Sequence, residues 1–184
     1  ALSGIDHIQI IQAKKYGEWT EGAGQVGDSF RIEPSTRCFL YVVAKDVAGN
    51  ETVGWTNGIV VDDQAPSGQN YQQLITEPAG ANDNGFYKED ITVHIAVQDK
   101  PDDDNYAALE SVSYQITSGQ VQEYKELYHT SKAGISEDEL RQSASFSAEE
   151  LIDAVKFEGN EASIEVTALD RAGNKTTSTQ IMKI

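Results

Sequence analysis

Apolar and polar residues alternate along several stretches of this chain, and alternation is the period of a β-strand that buries one face. The clearest stretch is 91–97, where Ile or Val at every second position alternates with Thr, His and Ala. Stretches 39–44 and 164–168 are also strand-like, and each runs into a turn. We therefore predict an all-β fold. The side chains predicted to point inward are Leu40, Val42, Ala44, Ile91, Val93, Ile95, Val112, Tyr114, Ile164, Val166 and Ala168.

The same type of five-residue turn follows two of these strands. Asp46-Val47-Ala48-Gly49-Asn50 follows the first and Asp170-Arg171-Ala172-Gly173-Asn174 follows the second. Glycine adopts positive φ without steric cost, and an Asp side chain accepts hydrogen bonds from nearby backbone N–H groups. Each segment is therefore predicted to be a strand–turn–strand hairpin, placed at the same point of two repeated units. The residues assigned to the turns are Asp46, Gly49, Asn50, Asp170, Gly173 and Asn174.

The repeat divides the chain into two predicted units, residues 1–63 and residues 64–184, which are joined by a short polar linker around Pro66. A two-sheet sandwich needs about 100 residues and about seven strands, and the first unit supplies only about five. It has no counterpart of stretch 91–97, so we expect it to lack about two strands at its start. We expect a neighbouring copy or the second unit to cover the open face, and the chain to be a segment of a longer array.

Two polar motifs predict helical turns in the second unit. A Ser followed three residues later by Glu forms the capping box that begins a helix. Ser147-Ala148-Glu149-Glu150 precedes further apolar residues, so we predict one short helix over 148–156. Ser136 and Glu139 have the same spacing and offer a second helical turn.

Composition and charge exclude several classes of partner. The chain carries 30 acidic and 14 basic residues, a formal net charge of −16. This charge argues against binding to nucleic acid or to anionic membrane surfaces, and no apolar run is long enough to insert across a bilayer. Most of the excess lies in residues 64–184, whose net charge is −12. The single cysteine, Cys38, excludes an intrachain disulfide and is predicted to be a small buried side chain.

Several motifs together resemble the Ig-like domains that are strung along large cell-surface proteins of bacteria, particularly of Gram-positive species. They are the Asp-x-Ala-Gly-Asn turns at 46–50 and 170–174, Tyr87 to Val93 entering a strand, Ser3-Gly4-Ile5 before another strand, and the exit from Val61 to Pro66. The resemblance implies tandem Ig-like β-sandwiches, an extracellular location and a role as a spacer or adhesive stalk. It implies neighbouring Ig-like repeats of the same parent chain as partners, a host or glycan ligand as a further one, and no catalytic residues.

Acidic residues are predicted to meet where the two units join. In an Ig-type sandwich, the loop after the second strand and the turn between the last two strands lie at the end where the chain enters. Close carboxylates repel one another by about 1 kcal/mol per pair even in water. A bound calcium ion would relieve this repulsion, and the alternative is a solvated acidic loop without an ion. The candidate ligands are Asp62, Asp63, Asp99, Asp102, Asp103, Asp104 and Asp170.

No motif in the chain predicts a reaction or a cofactor. The three histidines have no metal-ligand spacing, and neither a nucleophile motif nor a phosphate-binding Gly loop occurs. We therefore predict a protein that is not an enzyme. The alternative to a spacer is a carbohydrate-binding module that presents exposed aromatic rings to glycans. In the alternative interpretation these aromatic residues cover sheet edges and the interface between the domains. The candidates are Trp19, Trp55, Tyr16, Tyr106, Tyr124 and Tyr128.

Overall fold

The computed structural model describes residues 4–20, 22–68, 73–76, 78–99, 106–130, 136–159 and 161–184. The chain divides into two compact units. Within the described residues, the first unit contains residues 4–63 and Tyr106, and the second contains residues 64–99 and 107–184. The strands of both units pair in antiparallel sheets, so the predicted all-β class is confirmed.

The first unit is built on one five-stranded sheet. Its strands are β1 (Ile5–Ala13), β2 (Gln25–Val26), β3 (Thr36–Asp46), β4 (Glu51–Trp55) and β5 (Ile59–Val61). β2, β1, β3 and β4 lie side by side in that order, and β5 pairs with the first residues of β3. A second sheet is not present among the described residues of this unit.

Strand β3 buries the face opposite to the predicted one. Tyr41 and Val43 are each 3% exposed, whereas Val42 between them is 37% exposed. The cause is an apolar cluster on the odd-numbered face, where Trp19 from the loop after β1 stacks on Tyr41. The prediction that Leu40, Val42 and Ala44 point inward is therefore wrong. Leu40 and Ala44 are half-buried, and Val42 is exposed. Cys38, on the same face as Val42, is 1% exposed, as predicted.

The second unit is a sandwich of two sheets. Its strands are β6 (Ile75–Thr76), β7 (Ile91–Gln98), β8 (Leu109–Ser118), β9 (Val121–His129), β10 (Ser145–Ile152), β11 (Glu161–Asp170) and β12 (Lys175–Lys183). One sheet has the order β10-β7-β6, and the other has the order β12-β11-β8-β9. Two short helices, α1 (Glu137–Gln142) and α2 (Ala154–Phe157), lie before and after β10 in sequence.

The core of the second unit lies between its two sheets. β7 shows the predicted alternation, since Ile91, Val93 and Ile95 are each at most 1% exposed while His94 is exposed. Burying a side chain of this size contributes about 1.5–3 kcal/mol, so the alternation decides which face turns inward. The other inward predictions for this unit are also confirmed, at 4% exposure or less: Val112, Tyr114, Ile164, Val166 and Ala168.

The predicted helix over 148–156 is wrong for most of its length. Residues Ser145–Ile152 form β10, which pairs with β7 along its whole length and places Ala148 opposite Ile95. The backbone bonds of this ladder replace the helical bonds that the local capping signal favours. Helix begins only at Ala154, and the carboxylate of Asp153 accepts hydrogen bonds from the backbone N–H groups of Val155 and Lys156.

The second polar motif does cap a helix. The Ser136 hydroxyl accepts a hydrogen bond from the backbone N–H of Glu139, and the Glu139 carboxylate accepts one from the backbone N–H of Ser136. This reciprocal pair is the capping box, and it begins α1. Within the described part of the chain, no helix is long and apolar enough to cross a membrane.

Candidate functional site

The first Asp-x-Ala-Gly-Asn turn is closed by one carboxylate. The backbone N–H of Asn50 donates to Oδ1 of Asp46, and the Asn50 side-chain amide donates to Oδ2, each at 2.8 Å. The backbone N–H of Asp46 donates in turn to the carbonyl of Asn50 at 3.0 Å. Gly49 has a φ of 88°, in the left-handed region that glycine adopts without strain. The turn therefore requires the Asp, the Gly and the Asn at these positions.

The second turn repeats each of these contacts. Asn174 donates from its backbone and from its side chain to the two oxygens of Asp170, each at 2.8 Å. The backbone N–H of Asp170 donates to the carbonyl of Asn174 at 3.1 Å, and Gly173 has a φ of 92°. The two turns differ in burial, because Asp46 is partly exposed and Asp170 is fully buried.

Asp170 lies beside a second buried carboxylate of the same unit. One carboxylate oxygen of Asp99 lies within 4.8 Å of one of Asp170. Asp99 is 1% exposed, and its backbone N–H donates to the carbonyl of Ala144 at 2.7 Å. Two ionised carboxylates at this separation repel strongly in a poorly solvated surrounding. Asp99 and Asp170 are the two calcium candidates that the second unit brings together.

The backbone beside this pair is in an unfavourable conformation. Ala108 has a φ of 67°, which costs a residue with a side chain about 1–2 kcal/mol. It is fully buried, and its carbonyl accepts the backbone N–H of Arg171 at 3.0 Å. This bond ties the chain before β8 to the turn that carries Asp170, so the surrounding structure holds the strained residue in place.

Two further calcium candidates belong to the first unit. Asp62 and Asp63 follow β5 in the first unit. Asp62 is 8% exposed, whereas Asp63 is exposed and accepts a hydrogen bond from the Ser35 hydroxyl at 2.9 Å. Three candidates lie outside the described residues, namely Asp102, Asp103 and Asp104. A calcium site therefore stays a prediction.

The histidines and the cysteine do not form a catalytic arrangement with one another. Each histidine lies on a different strand and pairs with a nearby carboxylate, at 2.9, 3.2 and 3.4 Å for His7–Asp6, His94–Glu149 and His129–Glu126. Burial raises the pKa of the Cys38 thiol, against the smaller opposing effect of a hydrogen bond with Gln12. A thiol with a raised pKa is a poor nucleophile.

Three of the six aromatic candidates meet in the first unit. Tyr16, Trp19 and Trp55 gather around Phe39 and Tyr41, and we call these five residues the aromatic cluster. The ring of Tyr16 lies 5.8 Å from that of Phe39, 6.4 Å from that of Tyr41 and 6.5 Å from that of Trp55, between centroids. Trp19 stacks on Tyr41 with centroids 5.5 Å apart and an angle of 22° between the rings.

The other aromatic candidates are dispersed. Tyr124 on β9 is 64% exposed, Tyr128 packs on Phe146 with centroids 5.5 Å apart, and Tyr106 is 2% exposed. The sequence-based prediction omitted Phe39 and Tyr41 from the candidates. The sequence did contain a signal for them. The odd-numbered positions of stretch 39–43 are apolar, so the face of β3 opposite to Val42 could also have been predicted to lie in an apolar cluster.

A polar cluster links β8 and β9 of one sheet of the second unit to β10 of the other sheet. The hydroxyl of Tyr114 donates to Oε2 of Glu150 on β10 at 3.3 Å, and the ammonium of Lys125 on β9 donates to the same oxygen at 2.6 Å. Burial, followed by the negative charges of Glu150 and Glu123 and the hydrogen bond to Glu150, raises the pKa of Tyr114 to about 12. The phenol therefore stays protonated and donates to the carboxylate.

A cavity of about 580 Å³ lies in the second unit beside α2. Its wall includes the 46% exposed ring of Phe86, and the ammonium of Lys183 lies 5.7 Å from the centre of that ring. The titratable groups among its lining residues are Tyr87, Lys88 and Glu158. Among the described lining residues there is no Ser, Thr, Cys or His, the residue types that form hydroxyl–imidazole and thiol–imidazole pairs.

The sequence matches no protein-family model and no curated protein. Among solved structures, the chain is similar to the crystal structure of the chicken CNTN1 FN1–FN3 domains, with 14% sequence identity and a TM-score of 0.32. The match covers 97% of this chain and 56% of that chain. The antiparallel strand pairing of both units defines the all-β fold.

Proposed function

We propose that the chain is a non-catalytic, structural segment of a bacterial cell-surface protein, in which Ig-like units serve as a spacer or adhesive stalk. The observation that carries the proposal is the repetition of one turn in two successive units. Asp46 and Asp170 close their turns with the same set of hydrogen bonds, the first between β3 and β4 and the second between β11 and β12. Repetition of one structural unit is how a chain gains length without gaining new chemistry.

The packing of the units supports this role. Each unit has an apolar cluster of its own, one on the odd-numbered face of β3 and one between the two sheets of the second unit. A unit with its own core can fold by itself. A series of such units keeps its length under force because each core resists unfolding. We propose that neighbouring Ig-like repeats of the parent chain continue the series.

The chemistry of the described residues supports a non-catalytic role. The histidines occupy separate strands, and the only thiol is buried and has a raised pKa. The net charge of −16 opposes aggregation of a segment that faces water. These features favour an extracellular structural segment over an enzyme.

The location is tested with an antibody raised against residues 1–184. Intact cells that make the parent protein are stained in parallel with permeabilised cells. The proposal predicts equal staining of both, because the segment lies outside the cell. Staining that requires permeabilisation would contradict it.

The spacer role is tested separately, by deletion and replacement in the parent protein. Deleting residues 1–184 is expected to impair adhesion of the cells by shortening the stalk. Replacing the segment with two unrelated Ig-like domains of similar total length is expected to restore adhesion. A replacement that fails as completely as the deletion would show that this segment contributes more than length.

A further inference from the structure

The aromatic cluster presents two exposed rings that touch. The side chains of Tyr16 and Trp55 belong to residues that are 61% and 54% exposed. Isolated exposed hydrophobic residues are ordinary on a protein surface, but these two rings lie 6.5 Å apart in an edge-to-face contact. Together they form one continuous aromatic surface on the first unit.

The sheet and one backbone hydrogen bond hold this surface in place. Tyr41 on β3 lies directly opposite Trp55 on β4 in the strand register, and the stacked ring of Trp19 supports Tyr41. The hydroxyl of Tyr41 accepts a hydrogen bond from the backbone N–H of Gly17, the residue after Tyr16. A surface that is ordered before binding loses little conformational freedom when a ligand arrives.

The exposed area fits a small ligand better than a protein partner. Tyr and Trp side chains present about 150–250 Å² each, so two that are 61% and 54% exposed offer roughly 170–290 Å² together. A stable protein interface buries about 800 Å² on each partner. A ligand that lies across the two exposed rings fits this area.

A saccharide has the chemistry for such a surface. The C–H groups on the face of a pyranose ring pack against an aromatic ring, while its hydroxyls point sideways and need hydrogen-bonding partners. Lys15 and Glu18, on the same loop as Tyr16, form an ion pair of 3.7 Å whose side chains are 75% and 65% exposed. They offer charged donors and acceptors to those hydroxyls.

Charge restricts the class of saccharide. Residues 1–63 carry 9 acidic and 5 basic groups, a net charge of −4, so a polyanionic glycan would be repelled. We infer that the aromatic cluster of the first unit binds a neutral saccharide chain, which stacks on Tyr16 and Trp55. Saccharide binding would give the segment a ligand in addition to its proposed structural role. The inference does not depend on that role.

A glycan array carrying neutral and anionic oligosaccharides tests the inference, with the purified, labelled chain of residues 1–184 as the probe. Binding to at least one class of neutral glycan is expected. Tyr16→Ala and Trp55→Ala should each weaken that binding by about tenfold or more, as loss of an aromatic anchor does. Tyr124→Ala is the matched control, because Tyr124 is equally exposed, at 64%, but lies in the second unit.

The outcomes separate clearly. Absence of binding to every neutral glycan, or binding to anionic glycans alone, would overturn the inference. Equal losses in Tyr124→Ala and Tyr16→Ala would also overturn it, since the aromatic cluster would then have no special role. Far-UV circular dichroism shows whether each variant keeps its sheet content. Tyr16→Ser, a second change at the same exposed position, repeats the measurement if Tyr16→Ala does not fold.

Discussion

Asn174 donates two hydrogen bonds of 2.8 Å to the carboxylate of Asp170, one from its backbone and one from its side chain. Asp170 is fully buried, whereas Asp46, which holds Asn50 in the same way, is partly exposed. Water can replace a lost partner only where it has access. The same turn is therefore expected to contribute more to the stability of the second unit than to that of the first.

Replacing the two aspartates tests this difference with a matched pair. Asp46→Ala should cost the first unit about 1 kcal/mol of unfolding free energy, and Asp170→Ala should cost the second about 3 kcal/mol. Both tryptophans lie in residues 1–63, so tryptophan fluorescence in urea follows the first unit. Amide hydrogen exchange of β11 follows the second. A smaller effect for Asp170→Ala would mean that relief of repulsion with Asp99 outweighs the lost bonds.

The two Ser-x-x-Glu motifs provide a second matched pair. Ser136→Ala should destabilise α1 by about 1 kcal/mol, because it removes the side-chain half of the capping box. Ser147→Ala should change stability by less than about 0.5 kcal/mol, because Ser147 is exposed on β10 and caps nothing. Hydrogen exchange at the amide of Leu140, which donates to the Ser136 carbonyl, reports on α1 directly. Equal effects of the two changes would contradict this assignment.

The raised pKa of Tyr114 predicts a loss of stability at high pH. Because burial and the nearby Glu150 raise the pKa from 10.0 to about 12, the folded protein holds the phenol proton more tightly than the unfolded chain does. The resulting stabilisation is complete below pH 10 and is lost as the pH rises to 12, and it amounts to about 2–3 kcal/mol.

Urea unfolding of wild type and Tyr114→Phe between pH 9 and pH 12 measures this effect, with the pH range set by the ordinary and raised pKa values. The stability of wild type relative to Tyr114→Phe should fall across this range. Tyr124→Phe, which changes an exposed tyrosine, should track wild type. A constant difference between wild type and Tyr114→Phe would show that the phenol titrates normally.

The calcium hypothesis predicts a metal-dependent melting temperature. If Asp99 and Asp170 help to hold the ion, calcium at about 1 mM should raise the melting temperature, and a chelator should reverse the rise. Asp99→Asn should abolish the response, and Asp138→Asn, at an exposed position of α1, should not. A melting temperature that is the same with calcium and with chelator would rule out the ion.

Alternation predicted the strands of the second unit because their two faces differ. In β7 the apolar side chains occupy one face only, and the core selects that face. In β3 both faces are apolar, so the pattern could not distinguish Val42 from Tyr41. Trp19 stacks on Tyr41 and so determines which face of β3 is buried. Because Trp19 comes from another segment, the alternation within β3 could not predict this contact.

The local sequence also could not show which of the two Ser-x-x-Glu motifs begins a helix, or which aromatic residues meet in the aromatic cluster. Ser136 and Ser147 have the same local spacing to Glu, and only pairing with β7 converts the second motif into strand. Tyr16 and Trp55 are separated by 38 intervening residues and meet because β1, β3 and β4 are neighbours in one sheet. Contacts of this kind depend on the completed fold.

A spacer made of two separately folded units should lose its structure in two steps under force. We expect two unfolding events when single molecules of the full chain are stretched by their two ends. These events should release about 200 Å and about 400 Å of chain, in proportion to the sizes of the two units. A single event that releases about 600 Å would show instead that the chain unfolds as one body.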